Sequence, residues 1–294
     1  TENLTYNKFL SSMNVKEGIY LSGQIIKDRQ DLTYLSWTRI RNSSGTAGSF
    51  FKAYSEIGDH RIYYKLSNYD MSNGITGHEC VNEIIAARLL DILDIPHLDY
   101  QLINADIVID GSKYTTYLCA SKDFKTAGDS KTALDIYYQM ERMEGETPLE
   151  FCIRQGWEDY IYKMLLTDYL ILNRDRHGAN IEVLRNSVSK TIRLADLFDH
   201  GLSLLFSSKT ISEINSVDVM EDKPVQCFIG SNSAKNNLEI IPPDYQLGIR
   251  DLKERDREYI FKDIDGIMPQ EWQNKVWEMI WKRWCSYESL RNKG

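Results

Sequence analysis

The sequence predicts an α+β fold of two lobes, a β-rich lobe holding one helix followed by a mostly helical lobe. Three observations carry this expectation. Short aromatic and β-branched runs crowd the first third of the chain. One stretch of helical spacing, GHECVNEIIAARLLDILDIP (77–96), interrupts them. Beyond Lys131 the longer apolar runs mostly follow a helical period. The pattern divides the chain into residues 1–120 and 121–294.

The strands come first. LTYLSWTRI (32–40), SFFKAYSEI (49–57) and RIYYKLS (61–67) carry the residue types that favour a pleated surface. Gly58-Asp59 supplies a turn between the last two. RNSSGTAG (41–48) is richer in Gly and Ser than a tight hairpin needs. In the helical stretch, Ile84, Ile85, Ala87, Leu89, Leu93 and Ile95 approximate one helical face, and Pro96 closes it. YQLINADIVI (100–109) and KYTTYLCA (113–120) form a hairpin through Asp110-Gly111. Helices are expected over 132–143, 157–172, 251–264 and 269–290, and short strands over 181–184 and 191–195. Residues 207–246 show no clear period. Trp277, Trp281 and Trp284 recur at helical spacing and read as core.

Composition narrows the function classes. With 35 basic and 43 acidic side chains the net charge is −8, which argues against binding nucleic acid by phosphate neutralisation. No apolar run approaches the ~18 residues that a membrane span requires. The opening TENLTYNKFL lacks a basic and an apolar leader region, so no secretory signal is expected. Five widely spaced cysteines contain no CxxC, which leaves a zinc site unsupported and suits a reducing, cytoplasmic compartment.

Four features that can carry chemistry occur in a meaningful order. In SSGTAGS, residues Ser44, Gly45, Thr46, Ala47, Gly48 and Ser49 could aim backbone amides at phosphate oxygens, though a flexible hairpin has the same composition. Lys65 stands among Ile62, Tyr63, Tyr64 and Leu66, where a lysine is costly unless it reaches an edge or a partner. Glu83, 18 residues on, lies in the one helix of that lobe. Glu79, a turn earlier on the same face, is a rival partner. A strand lysine held by a helix glutamate is how protein kinases place a lysine against nucleotide phosphates.

The fourth feature is the octet NRDRHGAN (173–180), set between an apolar helix and a short strand. Asp175 and Asn180 have the D-x-x-x-x-N spacing in which Asp accepts a hydroxyl proton and Asn holds magnesium. Asp199 follows in LFDHG, with Asp196 as an alternative; a second carboxylate there suits a hard cation such as Mg²⁺. His177 could touch phosphate or substrate, or brace the loop.

Together, SSGTAGS, YYKLS, NEIIAARLLDILDIP, NRDRHGAN and LFDHG resemble the HipA-like serine/threonine kinases of bacteria. The octet is also similar to the corresponding loop of phosphoinositide kinases. The resemblance implies a two-lobed kinase fold and transfer of the γ-phosphoryl group of ATP to a protein Ser or Thr. It implies Asp175 as base, Asn180 and Asp199 as Mg²⁺ ligands, and Lys65 fixed by Glu83. A backbone hinge for adenine is expected at YLCAS (117–121), around Cys119. A separate antitoxin or regulatory chain is the partner that a toxin–antitoxin system implies. A lipid kinase and a nucleotide-binding pseudokinase remain alternatives. Ser43, Ser44 and Ser49 are candidate autophosphorylation sites.

Overall fold

The computed structural model describes residues 23–40, 47–57 and 60–291. The polar segment 41–46, with Ser43, Ser44, Gly45 and Thr46, lies outside the described residues, as does the Gly58-Asp59 turn.

The strands are β1 (Gln24–Asp31), β2 (Thr38–Ile40), β3 (Ala47–Ile57), β4 (His60–Lys65), β5 (Tyr69–Asp70), β6 (Gly74–Ile75), β7 (Tyr100–Ile109), β8 (Ser112–Lys122), β9 (Asp129–Ala133), β10 (Asp175–Arg176), β11 (Glu182–Asn186), β12 (Ile192–Leu194) and β13 (Gln226–Cys227). The α-helices are α1 (Glu79–Leu93), α2 (Leu134–Glu141), α3 (Pro148–Arg154), α4 (Glu158–Ile171), α5 (Ile211–Ser216), α6 (Ala234–Leu238), α7 (Arg257–Ile260) and α8 (Gln270–Arg291). A six-stranded sheet in the order β1-β7-β8-β4-β3-β2 is followed by a mainly helical part, the α+β architecture expected.

The sheet buries both faces. Ile26, Ala53, Ile62, Tyr64, Ile103 and Leu118 belong to one apolar cluster with Leu32 and Leu35. Leu102 and Cys119 join helix α1 in a larger cluster that continues through Leu165, Leu166, Val276 and Trp284 of the helical part. Asp110 (φ 50°) and Gly111 (φ 79°) make the β7–β8 turn, both with positive φ, as a two-residue hairpin loop prefers. Cys80, Cys119 and Cys152 are buried free thiols, as small hydrophobes would be. Trp277 and Trp284 are buried, and Trp277 stacks on Trp281 at 5.6 Å.

Several elements differ from expectation, four of them instructively. The strand predicted at 32–40 shrinks to Thr38–Ile40. Its first half turns instead, because the Asp31 carboxylate takes the Thr33 amide (3.1 Å) and hydroxyl (2.6 Å). The preceding polar segment QIIKDRQD forms β1, paired parallel to β7 with Gln24 opposite Gln101. At the sheet edge its charged side chains stay solvated, so no alternation betrays it. Helix α3 was not expected; Thr147 and Glu150 form a capping box with Pro148 at the first turn. The helix expected over 251–264 reduces to a 3₁₀ turn, Glu254–Asp256, and the single turn of α7.

Arg88 links three of these regions. It is buried on α1 and donates to the Gly23 carbonyl (2.6 and 2.9 Å) and to the carbonyls of Ile260 (3.0 Å) and Lys262 (2.6 Å). An Arg88→Met variant keeps the packing stem but strands these acceptors. It should lose about 3 kcal/mol in a urea titration followed by circular dichroism, since each orphaned buried acceptor costs ~1–3 kcal/mol. An unchanged midpoint would show that the guanidinium contributes nothing.

Candidate active site

Helix α1 buries 13 of its 15 residues, including Glu79, Asn82, Glu83 and Arg88. Polar groups so deep need partners, and two of the four, Asn82 and Glu83, find them around the LFDHG segment and the strand lysine. Lys65, the last residue of β4, donates to Glu83 Oε1 at 2.8 Å and to Asp199 Oδ1 at 2.5 Å. Burial disfavours its charge, but the Asp199 and Glu83 carboxylates outweigh that and hold its pKa well above the ordinary lysine value. The other Glu83 oxygen accepts the His200 backbone N–H at 2.7 Å. Asn82 donates to the carbonyls of Gly201 (3.1 Å) and Ser203 (3.0 Å).

Of the two rival glutamates, Glu83 takes the lysine. Glu79 accepts the Asn68 amide at 3.2 Å, so it ties the chain after β4 to the start of α1. Burial raises its carboxyl above the ordinary glutamate range. Asp199 has φ 59°, an uncommon conformation for a non-glycine residue. It is held by Lys65 and by the Tyr100 hydroxyl, which accepts its backbone N–H at 3.2 Å. Gly201 lets the segment close on the pair: a Cβ there would sit 3.1 Å from Lys65 Nζ and 3.2 Å from Glu83 Oε1. His200 is buried and neutral, its pKa pushed well down by burial and then by Arg176.

The octet is built beside this cluster. Helix α4 ends with Leu172 at φ 49°. Asn173 bonds Asp168 through its side chain (2.9 Å), and its own Oδ1 accepts the Asp175 amide (3.2 Å). Asn180 donates to the Asp175 carbonyl at 2.8 Å, closing the five-residue span. His177 caps the 3₁₀ turn Gly178–Asn180 by accepting the Ala179 amide at 3.2 Å, with Nε2 3.6 Å from Asp175 Oδ1. That is the bracing geometry, with the imidazole facing the Asp175 carboxylate. Gly178 is confined by α2, since a Cβ there would come within 2.4 Å of Asp135 Cβ.

Arg176 joins the two clusters, a role that the sequence reading missed. Fully buried, it makes a two-pronged pair with Asp168 (2.9 Å twice) and donates to the carbonyls of Asn180 (3.1 Å) and Phe198 (2.9 Å). The last of these precedes Asp199, so one guanidinium sets the octet against LFDHG. The available signal was Asp168 itself, a lone carboxylate inside the apolar run LLTDYLIL.

Cys119 occupies a different kind of place. It lies inside β8, opposite Lys65 of β4 on one side and Leu102 of β7 on the other. Its backbone serves the sheet ladder and its thiol is buried; β8 runs on to Lys122. Among the described residues no group of three or more His, Cys, Asp and Glu could hold a metal ion. The hard oxygen donors of Asp199 and Asn180 nevertheless fit Mg²⁺, which takes one or two protein ligands and completes its shell with phosphate and water.

A sheet carrying one helix, a lysine–glutamate pair across them and two polar loops beneath define a kinase-like two-lobed fold. The chain is similar to the crystal structure of a Helicobacter pylori proinflammatory kinase, CtkA, with a TM-score of 0.57 and 15% identity over 90% of this chain and 96% of that one. No protein-family model and no curated protein matches the chain in sequence.

The Glu79 carboxyl allows a pH test. A folded-state pKa raised above the unfolded one stabilises below the unfolded value and loses that contribution as pH rises through the folded value. Glu79→Gln, which cannot ionise, should therefore be more stable than wild type at neutral pH and lose that advantage below the ordinary glutamate range. Thermal melts across pH 4–8 check this; parallel curves would remove the burial argument.

Proposed function

We propose that the chain is an ATP-dependent kinase that transfers the γ-phosphoryl group to a protein Ser or Thr hydroxyl, in the manner of the HipA-like kinases. The observation that carries the reading is Lys65 bonded to both Glu83 and Asp199, beside an Asp175–Asn180 loop, on a kinase-like fold. The two lobes would divide close to Lys122, where the six-stranded sheet ends.

Phosphoryl transfer asks the protein mainly for positioning and charge stabilisation. Lys65, oriented by Glu83, would neutralise α/β-phosphate charge. Asp175 would orient the acceptor hydroxyl and take its proton. Its carboxylate is partly exposed, with side-chain accessibility of 26%, so an acceptor can reach it. His177 would steady Asp175 and could face a phosphate. Asp199 and Asn180 would hold Mg²⁺, which when bound offsets the phosphate charge. Backbone amides of residues 44–49 would cover the phosphates. Adenine would be met at the strand end 117–121, around Cys119, where β8 nears its last residue, Lys122. A cytoplasmic location is in keeping with five free cysteines, and among the described residues no helix is long and apolar enough to cross a membrane. A separate antitoxin or regulatory chain is the partner that the resemblance suggests.

Asp175→Asn should lower phosphate transfer by about 10²–10⁴-fold, the usual contribution of a positioned base, while nucleotide affinity largely survives. Wild-type turnover in that variant would refute the base assignment. Offering labelled ATP with either protein mixtures or phosphoinositide vesicles separates a protein kinase from a lipid kinase, and no incorporation into any acceptor marks a pseudokinase. Asp199→Asn should weaken ATP binding in Mg²⁺ at least tenfold by calorimetry and leave Mg²⁺-free binding nearly unchanged; equal effects in both buffers would remove the metal role.

A further inference from the structure

Helix α2 leaves the catalytic-loop side of the fold with an uncovered apolar stripe. Its inner face is core: Leu134, Tyr137 and Tyr138 are buried. Its outer face carries Ile136 (37% exposed) and Met140 (63%), one helical turn apart, and Met143 (59%) follows just beyond the helix end. Three large exposed apolar side chains within eight residues, two of them flexible methionines, are costly to leave in water and suit an adaptable contact.

Position and charge say what the contact would be. The first turn of α2 abuts the octet: the Leu134 amide donates to the Ile181 carbonyl at 2.8 Å, and Asp135 packs against Gly178. The outer face of α2, with Ile136 and Met140, therefore belongs to the helix that covers the octet at Gly178. The rim of the stripe is acidic. Glu141 and Glu144 are exposed and Asp135 is half-buried. Of the nearby bases, Arg154 is paired with Glu146 (2.6 Å), Arg142 lies over the Tyr138 ring (5.3 Å) and Arg185 lies on the Tyr137 side of the helix. Glu150 is consumed by the α3 capping box.

We infer that the Ile136–Met140–Met143 face is the docking surface for a basic segment of the phosphoacceptor protein, anchored by apolar side chains at helical spacing. This rests on the kinase reading. An anionic membrane is disfavoured as occupant, because the acidic rim would repel it. The face gives the kinase a means of choosing its substrate outside the phosphate site, through apolar anchors and complementary charge.

The test uses the full chain and two fluorescent helical peptides with identical Leu positions, one with Lys and one with Glu on the polar face. By anisotropy the Lys peptide should bind at least about tenfold more tightly than the Glu peptide. Ile136→Ser with Met140→Ser, and separately Glu141→Lys with Glu144→Lys, should each weaken the Lys peptide at least about fivefold at unchanged melting temperature. Equal affinity for the two peptides, or variants indistinguishable from wild type, overturns the inference. So does binding to phosphatidylserine vesicles that is lost in the serine variant. Asp175→Asn should keep the peptide affinity. Selective peptide binding with no labelled phosphate incorporated into any protein acceptor would sink the kinase reading and leave only a face for basic segments; incorporation into protein without selective binding would overturn the docking face and leave the kinase reading.

Discussion

The site depends on one buried cation. Lys65 has a side-chain accessibility of 12%, and its two carboxylate partners come from helix α1 and from a loop 134 residues away in sequence. A lysine there is tolerable only because two acids compensate its desolvation. The compensation fixes three segments at once: the end of β4, the rotation of α1 and the backbone of LFDHG. The neighbours serve the same constraint. Asn82 takes the carbonyls of Gly201 and Ser203, the free oxygen of Glu83 takes the His200 amide, and Gly201 is small enough to admit the pair.

A second buried ion pair sets the octet against that assembly. Arg176 spends its donors on Asp168, Asn180 and Phe198. Buried pairs of this kind add little net stability against an apolar core, but breaking one leaves a charge with no solvent, so the geometry is held tightly. Asp175 and His177 thus stand on a loop with little freedom, although both side chains keep partial access to solvent. Rigid support beneath a partly exposed carboxylate would suit the base role proposed for Asp175.

Much of the fold was legible in the sequence, and the reasons are local. β7 matches the aromatic and β-branched run 100–109 residue for residue because Asp110-Gly111 enforces its end. The β3 and β4 runs and helices α1, α4 and α8 likewise follow from their apolar spacing. β1 escaped because an edge strand with solvated charges carries no alternation. The helix expected over 251–264 failed as a long element because its apolar residues, Leu252, Ile260, Phe261 and Ile264, are buried by separate short turns. At the site, the residue types and order of Lys65, Glu83, Asp175, Asn180 and Asp199 could be read directly. The pairing of Arg176 with Asp168 could not, since a lone carboxylate inside an apolar run signals a buried charge but not which residue partners it.

By itself, then, the sequence determined most of the succession of strands and helices, the polar loop after an apolar helix, and the residue types and order of the candidate site. Those properties depend on neighbours within a few positions, where propensity, periodicity and turn chemistry act. Only the tertiary structure decided that Glu83 rather than Glu79 holds the lysine, that His177 braces its own loop, and that Cys119 is enclosed by the sheet. It also decided that α2 turns Ile136 and Met140 outward beside the octet. Each of those outcomes depends on groups far apart in the chain meeting in a dry interior or at its edge, where desolvation and packing choose between partners that the sequence leaves equivalent.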